Sequence, residues 1–165
     1  MVMTRERNQA EEDEKTFIDE SGTIHMPTGH FDIKLLRTML NQMPFEVDLI
    51  DANDKFVYFT DGDTRMHQRY VEQLGKDLIE LHPEHPERIR PTVQKILASF
   101  KDGSADHYEQ WFPMGNRTCY INYYALRDAD GTYLGCMEFT GDIKRIQGFR
   151  GVRTPHNSEK SELTY

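Results

Sequence analysis

A hairpin near the C-terminal end of the chain constrains the fold more than any other sequence feature. The segment Asp128-Ala129-Asp130-Gly131 consists largely of residues that favour tight turns. Residues 117–127 before it and 132–140 after it are rich in aromatic and β-branched residues, which favour strands. Because an isolated two-stranded hairpin is unstable in water, these strands need partners. We therefore expect an antiparallel sheet at the centre of the protein.

Further strands and helices are predicted upstream of the hairpin. Alternating apolar residues predict a strand at residues 45–49, and residues 55–60, which are apolar or aromatic on both faces, predict a second. A further strand is predicted at 107–112. A clear apolar stripe predicts a helix at 89–101, with Pro91 placed in its first turn because proline is costly in a helix interior. A weaker helical pattern covers 64–74, and prolines interrupt 75–86. This order predicts an α+β fold, in which short helices cross one face of a five-stranded antiparallel sheet.

The segment before this sheet is predicted to form a short hairpin followed by a helix. Residues 15–26 contain two brief apolar stretches around a favourable turn at 20–22. Asp32 can cap a helix whose apolar residues recur at helical spacing as far as Met43, and Pro44 ends it. We expect this amphipathic helix to pack on the sheet.

These patterns divide the chain into four parts. The acidic run at 11–14 has no apolar surface to bury, and the N-terminal residues lack the apolar segment of a signal peptide. We expect a disordered charged leader at 1–15, a hairpin and helix at 16–43, the sheet domain at 44–150 and a flexible tail at 151–165.

The charge of the chain disfavours several kinds of partner. The net charge is -8 at pH 7, and no cluster of lysine and arginine offers a basic surface to nucleic acid or to anionic membranes. No apolar run approaches the roughly 20 residues needed to span a bilayer. We therefore expect a cytoplasmic protein whose two cysteines are reduced.

Several segments resemble one known family, the PAS domains. Gly131 and Gly135 frame the "G-x-x-x-G" hairpin of that family, and Asp142-Ile143 matches the "D-I" step with which it closes. Residues 40–51 (LNQMPFEVDLID), 74–83 (LGKDLIELHP) and 120–142 are similar, more narrowly, to the PAS domain found C-terminal to hemerythrin-like domains in bacterial proteins. The resemblance covers residues 28–151. The chain departs from the family pattern at 83–86, where the prolines after histidine are no longer adjacent.

The resemblance implies a sensory or protein-interaction module in signal transduction. PAS domains generally bind a small ligand or cofactor, or mediate dimerisation, and pass their state to an output partner. It therefore implies a homodimer, a signalling protein as partner, and output through the N-terminal helix or after Asp142. No particular cofactor or ligand is identified. The residues that we expect to line a ligand pocket between the sheet and the helices are Phe59, Met66, His67, Tyr70, Ile79, His82, Ile96 and Tyr120.

Other kinds of chemistry were weighed against this role. A haem or metal sensor of gas or redox state is the alternative, with His67 or His82 as ligand, or His82 together with His85. Residues 64–100 contain no cysteine, so covalent flavin photochemistry is not expected. The chain has no nucleophile elbow, no H-E-x-x-H motif and no phosphate-binding glycine loop, so we do not expect an enzyme.

The hairpin turn also predicts a register for the last two strands. If Arg127 pairs with Thr132, then Cys119 faces Thr140 and Cys136 faces Tyr123, which places the cysteines about 13 Å apart. No disulfide is expected at that distance. One face then carries Tyr120, Tyr124, Leu126, Met137 and Phe139, and the other carries Ile121, Tyr123, Ala125, Leu134 and Cys136. Since both faces are largely apolar, we expect either the helix at 33–43 or a second subunit to cover the second face. We favour the helix, with dimerisation through it as a consequence.

Overall fold

A computed structural model of the protein describes residues 15–62, 65–84 and 86–154. The predicted leader and tail lie outside these residues except for Lys15 and residues 151–154, so both stay predictions. Thr64 and His85 also lie outside the described residues. Among the helices that are described, none is both long and apolar enough to cross a membrane.

The first described elements form a small sheet of their own. Strands β1 (Phe17–Ile18), β2 (Thr23–Met26) and β3 (Gly29–Asp32) pair in an antiparallel order. The carboxylate of Asp19 accepts hydrogen bonds from the backbone N–H of Ser21 and Thr23, which fixes the turn between β1 and β2. The predicted hairpin is therefore confirmed, whereas β3 was not expected.

Helix α1 (Ile33–Gln42) follows, and the carboxylate of Asp32 caps it by accepting from the N–H of Leu35 at 2.7 Å. The prediction that this helix covers the sheet is wrong for the chain alone. None of its residues is buried, and Ile33, Leu35 and Met39 are each at least half exposed. Its apolar side chains therefore have no extensive packing partner among the described residues.

The central sheet has five antiparallel strands. Its spatial order is β5-β4-β8-β7-β6. The predicted fold class is confirmed, with short helices on one face of this sheet. The strands are β4 (Glu46–Asp51), β5 (Phe56–Phe59), β6 (His107–Met114), β7 (Arg117–Arg127) and β8 (Tyr133–Asp142).

The chain between β5 and β6 contains less helix than the sequence pattern indicates. Residues 65–74 are irregular apart from a short 3₁₀ turn at Val71–Gln73, so the helix predicted from 64 to 74 is wrong. Helix α2 (Leu78–Leu81) forms where no helix was expected, capped by the carboxylate of Asp77. Helix α3 (Ile89–Lys101) is as predicted, and α4 (Lys144–Gln147) follows the sheet.

Helix α3 covers the inner face of the sheet. Its apolar stripe, Val93, Ile96, Leu97 and Phe100, is buried in one hydrophobic core with residues of β4, β5, β7 and β8. Pro91 lies in the first turn of α3, where its missing N–H costs no intrahelical hydrogen bond. The main part of the core therefore forms between α3 and one face of the sheet.

The register of the last hairpin differs from the prediction. Cys119 pairs with Asp142, and Cys136 pairs with Ala125, because the register shifts next to Leu126 and leaves Leu134 without a paired residue. Leu134 is also mostly exposed and does not share the buried environment of Cys136. The two cysteines are buried free thiols, offset by six residues, or about 20 Å along the strands.

Candidate functional site

A cavity of about 660 Å³ lies between the inner face of the sheet and α3. This volume is within the usual range for small-ligand sites. One wall is apolar and comes from α3 and the end of α2. The opposite wall, which we call the sheet wall, contains both apolar and ionisable side chains. The apolar wall includes Leu81, Ile89, Val93 and Ile96, and the sheet wall includes Gln110, Phe112, Ile121, Tyr123 and Glu138.

Glu138 is the most unusual group of the sheet wall. Glu138 is 4 % exposed, and its Oε1 accepts from the hydroxyl of Thr140 at 3.0 Å. Its Oε2 is buried and has no hydrogen-bond partner. Burial raises the pKa of this carboxyl to about 7, and the nearby carboxylate of Asp48 adds to the shift. The cavity therefore contains a strong acceptor that nothing in the described chain satisfies.

Two arginines and a second buried carboxylate hold the end of the cavity beside Glu138. Asp48, 2 % exposed, accepts from Nη2 of Arg65 at 2.6 Å and from Nε of Arg69 at 2.7 Å. Glu46 lies 3.4 Å from Arg65 and accepts from the N–H of Met66. These contacts fix the irregular segment at 65–69 against β4, so Arg69 is held in place where it lines the cavity.

Two histidines also line the cavity. Burial lowers the pKa of both His67 and His82, which favours neutral imidazoles. Nδ1 of His82 lies 2.9 Å from the carbonyl oxygen of Leu78, so the neutral ring donates there and keeps Nε2 as an acceptor. Nδ1 of His67 is buried without a hydrogen-bond partner. Among the described residues, no group of three potential metal ligands comes together.

The eight residues predicted to line a pocket fall into three groups. His67, His82 and Ile96 line the cavity. Met66 is buried in the core, and Phe59 and Ile79 pack against it. The structure corrects the placement of the other two: Tyr70 is 59 % exposed, and Tyr120 lies on the outer face of the sheet, where its hydroxyl donates to Glu109. Alternation along β7 gives Tyr120 the opposite face from Ile121 and Tyr123.

The sequence analysis missed Glu138, Arg69 and Asp48. A signal was present, since Glu46 and Asp48 occupy alternate positions in one largely apolar strand and Glu138 stands between Met137 and Phe139 in another. Charged residues at positions that a sheet buries require partners, and such partners mark a site. Asp48 of β4 pairs with Glu138 of β8, which brings two of these carboxylates side by side.

We expect Glu138→Gln to change how stability depends on pH. Between the ordinary glutamate pKa of about 4.3 and the raised value of about 7, the folded protein retains a proton that the unfolded chain has lost. The free energy of unfolding of the wild type therefore falls as pH rises through this window. Relative to wild type, Glu138→Gln should gain about 2 kcal/mol between pH 5 and pH 8, measured by urea unfolding at both pH values.

The matched control is Glu109→Gln, which changes an exposed glutamate on the opposite face of the sheet. This variant should follow the wild-type dependence on pH. Equal pH dependence of wild type and Glu138→Gln would show that Glu138 has an ordinary pKa in the folded protein.

Comparisons with known proteins identify relatives with the same architecture. A family model described as a PAS domain matches residues 36–144. Among solved structures, a C-terminal domain from Streptococcus mutans matches with a TM-score of 0.70 and 25% identity, covering 78% of this chain and 98% of that domain. No curated protein matches the chain.

Two further solved structures are similar in fold. The PAS domain of a protein from Colwellia psychrerythraea has a TM-score of 0.50 and 10% identity, covering 68% of this chain and 98% of that one. A complex of VqmA from Vibrio cholerae with a ligand and DNA has a TM-score of 0.50 and 17% identity, covering 76% of this chain and 62% of VqmA. At these identities the likeness concerns the fold.

Proposed function

Because the chain belongs to the PAS domain family, we propose that it is a sensory module that binds a small organic ligand between its sheet and α3. The bound state is passed on by contacts of α1 or of the segment after Asp142. The role involves no chemical step on the ligand. The domain division at 44–150, with a separate N-terminal part at 16–43, is part of this proposal.

The observation that carries the proposal is the unsatisfied oxygen of Glu138 in the cavity. A buried acceptor without a partner costs free energy, so a site that retains one gains when a ligand supplies the donor. A cavity that was only imperfect core packing would be lined by apolar groups. The eight residues named from the sequence are revised accordingly, and the proposed contact residues are His67, Arg69, His82, Ile96, Tyr123 and Glu138.

A homodimer is proposed from the outer face of the sheet. Trp111 is 61 % exposed and Tyr124 is 40 % exposed on that face, and the apolar residues of α1 are also open. VqmA, which shares the fold, has been solved as a dimer. We also propose a narrower relationship to the PAS domains that follow hemerythrin-like domains in bacterial proteins, based on the motifs at 40–51, 74–83 and 120–142. The proposed partner is such a domain or another signalling protein.

A haem sensor is the alternative that one observation favours. The Nδ1 contact of His82 with the Leu78 carbonyl leaves Nε2 suited to ligate iron, an arrangement common among metal-binding histidines. The charged groups Glu138 and Arg69 are unsuited to the apolar face of a porphyrin. A Soret band that His82→Ala abolishes would establish the alternative, and a colourless protein would exclude it.

The ligand site is tested by blocking the cavity. Thr92 lines it but is exposed on α3, so Thr92→Trp adds bulk at the opening without disturbing the core. In native mass spectrometry, we expect the wild type to retain a small molecule from the expression host and to have the mass of a dimer. Thr92→Trp should lose the small molecule and remain folded.

Gln94→Trp provides the matched control, because Gln94 is exposed on the same helix but does not line the cavity. This variant should retain the ligand. Retention by Thr92→Trp equal to that of Gln94→Trp would place the ligand elsewhere and overturn the proposed site.

A further inference from the structure

The strongest unexplained feature of the cavity is a fixed donor beside a fixed acceptor. Nη2 of Arg69 and Oε2 of Glu138 are 3.9 Å apart, too far for a direct hydrogen bond. Neither group can easily close this gap. Asp48 holds Nε of Arg69 at 2.7 Å, and Thr140 holds Oε1 of Glu138 at 3.0 Å. The remaining N–H groups of Arg69 and Oε2 of Glu138 are thus held next to each other at the cavity.

The charges around this pair favour a neutral ligand. The two carboxylates of Glu46 and Asp48 are balanced by the two guanidinium groups of Arg65 and Arg69. A cation that approached Oε2 of Glu138 would also approach Arg69, and an anion that approached Arg69 would also approach Glu138 and Asp48. A neutral group with one donor and one acceptor side by side satisfies both protein groups without adding charge to a buried site.

A lactam or amide edge has this pattern, because its N–H and C=O are adjacent. Resting on the proposed ligand cavity, we propose that the ligand is a small neutral lactam or amide whose N–H donates to Oε2 of Glu138 and whose carbonyl accepts from Arg69. The apolar wall formed by Ile89, Val93 and Ile96 takes the hydrocarbon part of the molecule. The cavity volume of about 660 Å³ leaves room for a ring system larger than a single six-membered ring.

Three soluble probes of similar size test this pattern on the full chain. 2-Pyridone has both the N–H and the carbonyl, 1-methyl-2-pyridone lacks the N–H, and protonated pyrrolidine is a cation without an acceptor. Titrations at pH 8 are followed by protein-observed NMR. We expect 2-pyridone to bind about tenfold or more tightly than either of the others, since each lacks a hydrogen bond to a charged group.

Variants assign the selectivity to Glu138. Glu138→Gln should reduce the affinity for 2-pyridone about tenfold and leave that for 1-methyl-2-pyridone unchanged. Glu109→Gln, on the opposite face, should retain the wild-type preference. A thermal unfolding curve of each variant confirms that it is folded, and a preference that persists in Glu138→Gln would overturn the assignment to this residue.

The pH dependence of the affinity for 2-pyridone distinguishes ligand contact from a purely structural role of Glu138. The charged groups that face it are Asp48 and Glu46 from β4 and Arg69 from the irregular segment, with the Tyr123 hydroxyl from β7 and apolar residues from α3. The ionised carboxylate is the stronger acceptor for the ligand N–H, because a hydrogen bond to a charged oxygen is stronger than one to the carbonyl oxygen of a protonated carboxyl. Affinity for 2-pyridone should therefore rise up to about tenfold from pH 6 to pH 8, and affinity for 1-methyl-2-pyridone should stay flat.

The outcomes separate this inference from the proposed function. Equal binding of 2-pyridone and 1-methyl-2-pyridone, or tighter binding of pyrrolidine, would overturn the lactam inference while the cavity remained a ligand site. Binding of none of the three probes, with a wild type that carries no ligand in native mass spectrometry, would overturn both.

Discussion

Asp48→Ala is expected to reduce the free energy of unfolding by about 3–5 kcal/mol, the cost of leaving buried charges without their partner. Asp48 accepts hydrogen bonds from both Arg65 and Arg69, and the side chains of Arg65 and Asp48 are both buried. Removing one carboxylate therefore leaves two guanidinium groups partly uncompensated. Urea unfolding followed by circular dichroism measures the loss.

The comparison is Glu84→Ala, which breaks an ion pair at the surface. Glu84 is 74 % exposed and lies 3.4 Å from Arg90, so its loss should cost less than about 1 kcal/mol. If Asp48→Ala cost no more than Glu84→Ala, the segment at 65–69 would not be held on β4 by these charges. The geometry of Arg69 at the cavity would then need another cause.

Gly135→Ala is expected to cost about 3 kcal/mol, from a steric clash together with backbone strain. Gly135 has a φ of 150°, and a Cβ there would lie 2.2 Å from the backbone oxygen of Ile50. Ile50 belongs to β4, which pairs with β8 at this point, so the clash is with the backbone of the central sheet. Chemical denaturation again measures the effect.

Gly131→Ala is the matched control within the same hairpin. Gly131 has a φ of 82°, but no other atom would lie within 4 Å of an added Cβ. This substitution should cost about 1 kcal/mol for the positive φ alone. Equal losses at Gly131 and Gly135 would mean that β4 and β8 are not as close as the structure has them.

The sequence predicted the repeating parts of the fold because local chemistry specifies them. Helix α3 was recognisable from its apolar stripe, and the structure confirms it. The strand at 117–127 was placed correctly at both ends. In both elements the pattern of apolar residues repeats over three or more turns or several residue pairs, so the assignment does not depend on any single position.

The sequence did not predict those features of the fold that depend on contacts with neighbouring strands. The hairpin turn was recognised, but the irregularity beside Leu126 moved the pairing of Cys119 from Thr140 to Asp142. A bulge of this kind depends on how the strands twist against their neighbours, which local composition does not encode. The helix predicted at 64–74 is also wrong, because ion pairs with β4 hold residues 65–69 in an irregular path.

The hairpin at 117–142, which first indicated a central antiparallel sheet, contains both features that the sequence determines and features that only the tertiary structure decides. By itself the sequence determined the sheet, the helix that covers it and the family, because turn residues and apolar periodicity act over short distances along the chain. Only the tertiary structure decided that Glu138 faces a cavity beside Arg69 and that Gly135 touches β4. These contacts join residues far apart in sequence, and their partners are set by strand order and register.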